Sequence, residues 1–585
     1  MNMTVSAGMG YTDEANVQIL VSLMKHHGVS RVVASPGTTN VTLVACLQRD
    51  PYFTVYSSVD ERSAAYMACG IAAETGEAVA LSCTGATASR NYFPGLTEAF
   101  YRKLPILAVT STQHLGRIGH MVPQVIDRTS ELNDICRVSV QCPNVCSAED
   151  RWACEANLNR ALLELTRDGG GPVHINLVTT YSNNFDVAEL PSVRVVDRIE
   201  RGDEFPSLNG KRVAIYVGAH RAWTPSEVEA CEAFCERYGA VVFCDHTSNY
   251  PGEHGVMGAL VAKQERYTAP CMPVDVMVHI GEITGAYAQP TAAETWRVSL
   301  DGQPKDPFGK LRYVFNMDEE DFFGAYAAIE GESPVVGLDS EWRAEDARLR
   351  EKIPELPFSN IWCAQKLAPM LPAGSVLHLG ILNSLRSWNF FPKDSSILGY
   401  SNTGGFGIDG CMSTLIGASL ASPDKIFFGV LGDLACFYDL NSLGNRHVGA
   451  NVRIMVVDNG VGTEFKNYNH KCAAFDGEAD AYMAARGHYG NRSHELLRHY
   501  AEDLGFEYLC ASDKDEFLEV AERFAAPEHA ERPMLFEVFT DSRDESDALR
   551  EMSSLETDAA NAAKDAVKGI LGDRGVAAVK KILGR

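Results

Sequence analysis

A chain of 585 residues, 45% of them hydrophobic and 22% charged, is too long for one core, and at roughly 150 residues per domain it implies three or four globular units. A net charge of −25, with no Lys/Arg-rich run to offset it, repels phosphate backbones and excludes nucleic acid as a partner. No window approaches the roughly 18 uninterrupted apolar residues of a membrane span, and residues 1–13 hold neither a basic run nor an apolar stretch, so a cytoplasmic protein with no membrane partner is expected.

Along the chain, β-branched runs of strand length alternate with longer helical patterns, the signature of parallel sheets covered on both faces. Three blocks follow. The first, 10–190, carries strands at 31–35, 54–59, 78–84, 105–111 and 172–178, with a helix at 63–74. The second, 195–340, carries strands at 213–218, 240–245, 274–281 and 311–317, with an amphipathic helix at 226–238. The charged stretch 341–352 reads as a linker helix. The third block, 355–548, carries strands at 375–380, 396–400, 425–433, 452–459, 507–512 and 533–540, and an Ala- and Lys-rich helical tail follows over 549–585. The expected fold class is α/β: three doubly wound parallel-sheet domains plus a C-terminal helical tail. Sixteen cysteines lie singly in apolar segments and read as reduced, buried thiols. Cys142/Cys146 and Cys231/Cys235 are spaced like zinc half-sites, but neither has a second pair nearby.

The residues that carry chemistry lie at strand ends. Asp433 follows the strand 425–433, and Asp458-Asn459-Gly460-Val461-Gly462 follows the next one, so both strand ends reach one point. A carboxylate, an amide oxygen and a backbone carbonyl suit Mg²⁺, which favours an octahedron of oxygens; Asp433, Asn459 and the Val461 carbonyl are the ligand set. The plainer reading is a turn or a helix cap. Upstream, the glycine-rich run 402–410 leads into a helix at 411–421 and presents Gly407 and Ile408 to a ligand. In the first block Glu61 opens the helix after the strand 54–59. An acidic residue there ordinarily complements the helix dipole. Here it stands in company with Ser35-Pro36-Gly37 after the preceding strand and with a polar turn, Gly85 to Asn91, after the following one.

The order of these segments resembles the thiamine diphosphate-dependent 2-oxo-acid decarboxylase and acetohydroxyacid synthase superfamily. The run from Gly432-Asp433-Leu434 to Asn441, the run Gly407-Ile408-Asp409-Gly410, and Ser35-Pro36-Gly37 with Asp60-Glu61-Arg62 are most similar to the menaquinone-pathway 2-succinyl-5-enolpyruvyl-6-hydroxy-3-cyclohexene-1-carboxylate synthases. The resemblance implies a pyrimidine-binding domain (10–190), a middle domain (195–340) and a diphosphate-binding domain (355–548). It implies thiamine diphosphate and Mg²⁺ as cofactors, and Glu61 as the residue that hydrogen-bonds the aminopyrimidine. It also implies a homodimer, or a dimer of dimers, with active sites shared between subunits. The cofactor contacts it transfers are Ser35, Pro36, Gly37, Gly85, Asn91, Gly407, Ile408, Gly432, Asp433, Leu434, Asn459, Val461 and Gly462.

The implied activity is decarboxylation of a small 2-oxo acid with transfer of the acyl unit to an acceptor. The alternatives are decarboxylation without an acceptor and, from a different class, a non-catalytic binding module. Gln113 and His114 are the further catalytic candidates, and Thr39, Gln124, Asn383, Arg386, Thr403, Glu464 and Lys466 the substrate-facing ones. Thr39 and Thr403 stand where the menaquinone enzymes carry arginines for carboxylate-rich substrates, so a different acceptor is expected. Asp458 also stands where that family has a first asparagine. The middle block lacks a Gly-x-Gly-x-x-Gly loop, and FAD is not expected.

Overall fold

The computed structural model describes residues 10–558 apart from 287, 333, 334, 336 and 489–492. The chain divides into two compact units, Met1–Asp203 with Leu300–Asn316, and Glu204–Ser299 with Met317–Arg585. The tail expected over 549–585 lies outside the described residues beyond 558; its start continues the helix Ser542–Met552. Among the described residues no helix is long and apolar enough to cross a membrane.

In the first unit six parallel strands, β1 (Arg31–Ala34), β2 (Thr54–Ser57), β3 (Val79–Cys83), β4 (Ile106–Thr112), β5 (Ser139–Cys142) and β6 (Val173–Val178), form a sheet in the order β2-β1-β3-β4-β6-β5. Every residue of β3, β4 and β6 is buried, as continuous apolar runs covered on both faces must be. Val17, Leu20 and Leu158 pack one face, and Ala68, Leu96 and Ala99 the other. A short strand, β7 (Asp197–Ile199), follows.

The second unit holds β8 (Val213–Val217), β9 (Val241–Cys244), β10 (Gly255–Met257), β11 (Pro273–Ile280) and β12 (Thr291–Val298), parallel in the order β10-β9-β8-β11-β12. Leu311–Phe315 (β13) belongs to the first unit, where it pairs in parallel with β7. The second unit's other sheet comprises β14 (Val376–Leu379), β15 (Leu398–Tyr400), β16 (Phe427–Gly432), β17 (Val452–Asp458), β18 (Glu507–Ala511) and β19 (Met534–Phe539), all parallel, in the order β15-β14-β16-β17-β19-β18.

Strand order decides where ligands can enter, because connections that leave neighbouring strands in opposite directions open a crevice at the strands' carboxyl ends. In the first sheet that point lies between β1 and β3, and in the β14–β19 sheet between β14 and β16. In the middle sheet it lies between β8 and β11, where the backbone closes it: Gly218 donates to Ile280, Glu282 donates to Ala219, and a Cβ on Gly218 would sit 1.9 Å from the Glu282 carbonyl.

Three local expectations need correction. Strands β5, β7, β10 and β12 were not anticipated; β12, Thr-Ala-Ala-Glu-Thr-Trp-Arg-Val, lacks a β-branched run and is held by pairing along β11. Gly85 to Asn91 is not one turn, because a helix, Thr87–Asn91, begins after Ala86. The charged helix, Leu338–Arg350, is no free linker: it buries Trp342 edge-on against Phe243, and the Trp342 indole donates to the Cys271 carbonyl at 3.2 Å. The cysteines form no disulfide among the described residues, and Cys142 lies 3.5 Å from Cys154 rather than pairing with Cys146.

The helix Ser542–Met552 carries a buried acid, Glu545, 2% exposed, which accepts from the Asn360 amide at 2.9 Å and the Thr540 hydroxyl at 2.8 Å. Burial pushes its carboxyl up to about 7. A raised carboxyl costs nothing while folded and unfolded states are both protonated, and its penalty grows as pH rises through the folded value. Glu545→Gln keeps the shape without the charge, so the variant should gain on wild type by up to about 3 kcal/mol between pH 5 and pH 8 in urea unfolding. A gap that stays constant across that range would show that the acid is not held protonated.

Candidate active site

The crevice between β1 and β3 is built from close backbone contacts. Ser35, 1% exposed, donates its amide to Ser82, and a Cβ on Gly37 would lie 2.7 Å from the Thr84 side chain, so only glycine lets the two strand ends approach. Asn40 ties the turn by donating to the Ser35 carbonyl at 3.0 Å. Gly85 faces the Gln124 carbonyl, and Gln124 itself adopts φ +64°.

Glu61 is free for other work because Asp60, not Glu61, caps the helix Glu61–Thr75. The Asp60 carboxylate accepts from the Ser63 amide at 3.0 Å and its hydroxyl at 2.7 Å. The Glu61 carboxylate is half-buried and meets one side chain, Asn91, whose amide donates to it at 3.4 Å. Those two predicted residues are therefore together. Gln113 accepts from Arg117, and His114 is exposed, with its Nδ1 accepting from the Gly116 amide at 3.1 Å. Thr39 points inward: its hydroxyl bonds the Ser111 carbonyl at 2.9 Å and the Thr84 hydroxyl. Beneath this turn lies Arg128, 1% exposed, whose guanidinium donates to the Ser111 carbonyl at 3.4 Å; no motif in the sequence marks it.

In the β14–β19 sheet the register sets Gly432 of β16 beside Val457 of β17, so Asp433 and Asp458 leave their strands side by side. Asp433 is the first residue of the helix Asp433–Tyr438, whose N-cap is Gly432. The aspartate is 5% exposed, and burial, then the Asp458 charge, push its carboxyl well above the usual range. Burial and the same neighbour raise Glu537 on β19, although the Tyr508 hydroxyl donates to it at 2.7 Å. The Asn459 amide oxygen is buried without a hydrogen-bond partner among the described residues, and Gly460 turns the chain with φ +69°. No group of three or more His, Cys, Asp or Glu side chains among the described residues is arranged to hold a metal ion, but the Asp433 carboxylate and the Asn459 amide oxygen are oxygen donors of the kind a hard cation takes.

Asp433 and Asn459 open on a cavity of about 320 Å³, within the usual range of about 300–1,000 Å³ for small-molecule sites. Nine predicted residues line it: Asn383, Ile408, Gly432, Asp433, Leu434, Asn459, Val461, Gly462 and Glu464. Leu382, with φ +66°, Asn360 and Phe465 also line it; none carried a sequence signal. The remaining predicted residues do not line it. Thr403 and Gly407 border a separate open hollow of about 550 Å³, Arg386 bonds Glu464 at 2.8 Å, and Lys466 bonds Asp480 at 2.6 Å.

The family model "Thiamine pyrophosphate enzyme, N-terminal TPP binding domain" matches residues 16–131. The 2-succinyl-5-enolpyruvyl-6-hydroxy-3-cyclohexene-1-carboxylate synthase of Bacteroides thetaiotaomicron is 31% identical over 562 residues, covering 92% of this chain and 98% of the relative. The chain belongs to the thiamine diphosphate enzyme family. Within that family the synthase of Flavobacterium johnsoniae is 25% identical, over 91% of this chain and 97% of its own. A solved structure, the thiamine diphosphate-dependent 4-hydroxybenzoylformate decarboxylase of Rhodococcus jostii RHA1, is 17% identical over 90% of this chain and 99% of that one, with a TM-score of 0.38. That likeness is too loose for a residue-by-residue comparison.

Proposed function

We propose that the chain is a thiamine diphosphate- and Mg²⁺-dependent decarboxylase and carboligase acting on a 2-oxo acid. The observation that carries this reading is that Asp433, whose carboxyl burial and the Asp458 charge push upward, and Asn459, whose amide oxygen has no hydrogen-bond partner among the described residues, line one cavity. Asp433, Asn459 and the Val461 carbonyl would hold the cation, whose charge would attract a diphosphate. Ile408 and Leu434 supply apolar wall, and Gly432 and Gly462 leave room. Glu61 holds a proton at the aminopyrimidine, with Asn91 orienting its carboxylate. Bound there, thiamine diphosphate supplies the carbanion chemistry by which CO₂ leaves a 2-oxo acid.

The family resemblance to synthases supports transfer to an acceptor over simple protonation, and Thr39 supports an acceptor other than that of the relatives. Its hydroxyl is committed to Ser111 and Thr84 and offers no fork for a carboxylate. Product analysis tests both points. Purified enzyme given pyruvate or 2-oxoglutarate with a panel of aldehyde and ketone acceptors should form coupled products, and with isochorismate it should stay well below the roughly 1 s⁻¹ of ordinary enzymes. Free aldehyde as the sole product would leave only the decarboxylase reading.

Glu61 and Asp433 lie in different units, each at the carboxyl ends of its own sheet. We infer a two-fold dimer in which each cofactor takes Glu61 from one subunit and Asp433 from the other. Co-expression of Glu61→Ala and Asp433→Ala chains, each inactive alone, should then restore about a quarter of the sites, because half of randomly paired dimers are mixed and each mixed dimer has one intact site. Mixed dimers without activity would place both residues of a site in one chain.

A further inference from the structure

A buried acid that does not line the cavity is bonded to two sets of residues around it. Glu545, 2% exposed on the helix Ser542–Met552, accepts at a single carboxylate oxygen from the Asn360 amide at 2.9 Å and the Thr540 hydroxyl at 2.8 Å. Asn360 lines the cavity and begins the helix Asn360–Leu367. Its side chain donates to the Ser384 hydroxyl at 3.2 Å and accepts from the Trp388 indole at 3.2 Å, so the helix Asn383–Trp388, which places Asn383 and Ser384 along the cavity, is fixed with it. Thr540 follows β19 and donates its amide to the Asp458 carbonyl at 3.0 Å, on the strand end that leads into Asn459 and Val461 of the cavity lining.

Neither the helix nor charge balance accounts for this acid. Asp541 already caps the helix start, accepting from the Arg543 amide at 2.8 Å, and Glu545 makes no ion pair with any described residue. Burial without a counter-charge raises its carboxyl, a penalty that an apolar residue of similar size would avoid. What an apolar residue could not supply is the shared oxygen. Without it the Asn360 amide, on a residue only 1% exposed, would lose its acceptor, and Thr540 would no longer be joined to the helix beside the cavity. The adjacent Ser546 adds a further tie, accepting from the Tyr468 amide at 2.9 Å, three residues beyond Phe465 of the cavity lining.

We propose that Glu545 is a positioning residue for the ligand of the cavity: its one oxygen holds the Asn360 and Ser384 lining and the strand end bearing Asn459 as a single body. This rests on the reading that the cavity takes thiamine diphosphate and Mg²⁺. It adds that part of their affinity is set from a helix that contributes no lining residue of its own. An oxygen ligand such as Asn459 holds a hard cation tightly only where its place relative to the other ligands is fixed, and groups that brace ligands in this way commonly count for roughly 10–100-fold in metal affinity.

The test uses the full-length chain at about pH 6, below the value of about 7 to which burial lifts this carboxyl, so that glutamine matches the wild-type acid in shape and in charge. In calorimetry, Glu545→Leu should weaken binding of thiamine diphosphate with Mg²⁺ by about 10-fold or more, and Glu545→Gln should return it to within about twofold of wild type. Hydrogen exchange on the unliganded proteins reads the tie itself. In Glu545→Leu the Asn360 amide and those of residues 458–462 should exchange about 10-fold faster or more, and in Glu545→Gln at the wild-type rate, whereas a general loss of stability would speed exchange throughout the β14–β19 sheet. Wild-type affinity in Glu545→Leu, exchange unchanged at 458–462, or Glu545→Gln as weak as Glu545→Leu would each overturn the proposal. Should Glu545→Leu fail to fold, Thr540→Val, which removes one arm of the tie, should give the same changes in affinity and at 458–462, and wild-type values there would overturn it equally. Should wild type bind no thiamine diphosphate, the proposed function fails, and the exchange measurement still decides the tie.

Discussion

Asp433→Ala is expected to lose Mg²⁺-dependent thiamine diphosphate binding altogether while folding as well as wild type or better. The two halves of that outcome come from one observation. Asp433 is 5% exposed and pushed upward by burial and by Asp458, so without a cation its negative charge is a cost to the fold. Removing it relieves repulsion among three acids. If Asp433 served only the start of the helix Asp433–Tyr438, its removal would instead cost the chain about 0.3–1 kcal/mol. Stability and binding should therefore move in opposite directions. Because the acids must ionise before they can hold Mg²⁺, cofactor affinity in wild type should also fall as pH is lowered. Calorimetry showing wild-type affinity in Asp433→Ala would remove the residue from the metal site.

The parts legible in the sequence are those that local chemistry dictates. Apolar β-branched runs such as Val452–Asp458 had to be buried strands, and an acid placed just after one had to stand at a sheet's carboxyl end. Asp433 and Asn459 were readable for that reason, since adjacent parallel strands bring their ends together whatever the intervening loop does. Side-chain partnership was not readable. Nothing in the residue types says that Thr39 turns inward to Ser111, or that Arg386 meets Glu464 across 78 residues of chain. The exchange of an asparagine for Asp458 looks conservative in a motif, yet register sets it beside Asp433 and makes it a third charge to be neutralised.

Glu61→Gln should slow exchange of the cofactor's thiazolium C2 proton by about 10²–10⁴-fold while leaving the fold and cofactor affinity nearly intact. The fold should survive because the helix start does not depend on Glu61: Asp60 supplies the cap through Ser63, and the Glu61 side chain is half-buried with one long contact, to Asn91. Glutamine keeps the size and an acceptor for that contact but has no proton to hold or move at the ring nitrogen. If Glu61 served only the helix dipole, the substitution would cost about 0.3–1 kcal/mol of stability and leave proton exchange untouched. The two roles thus separate cleanly in two measurements on one variant. NMR of the C2 proton after quenching reports the first, and urea unfolding the second. A variant that exchanges at the wild-type rate but unfolds more easily would return Glu61 to the helix and leave the activation of the cofactor without its acid.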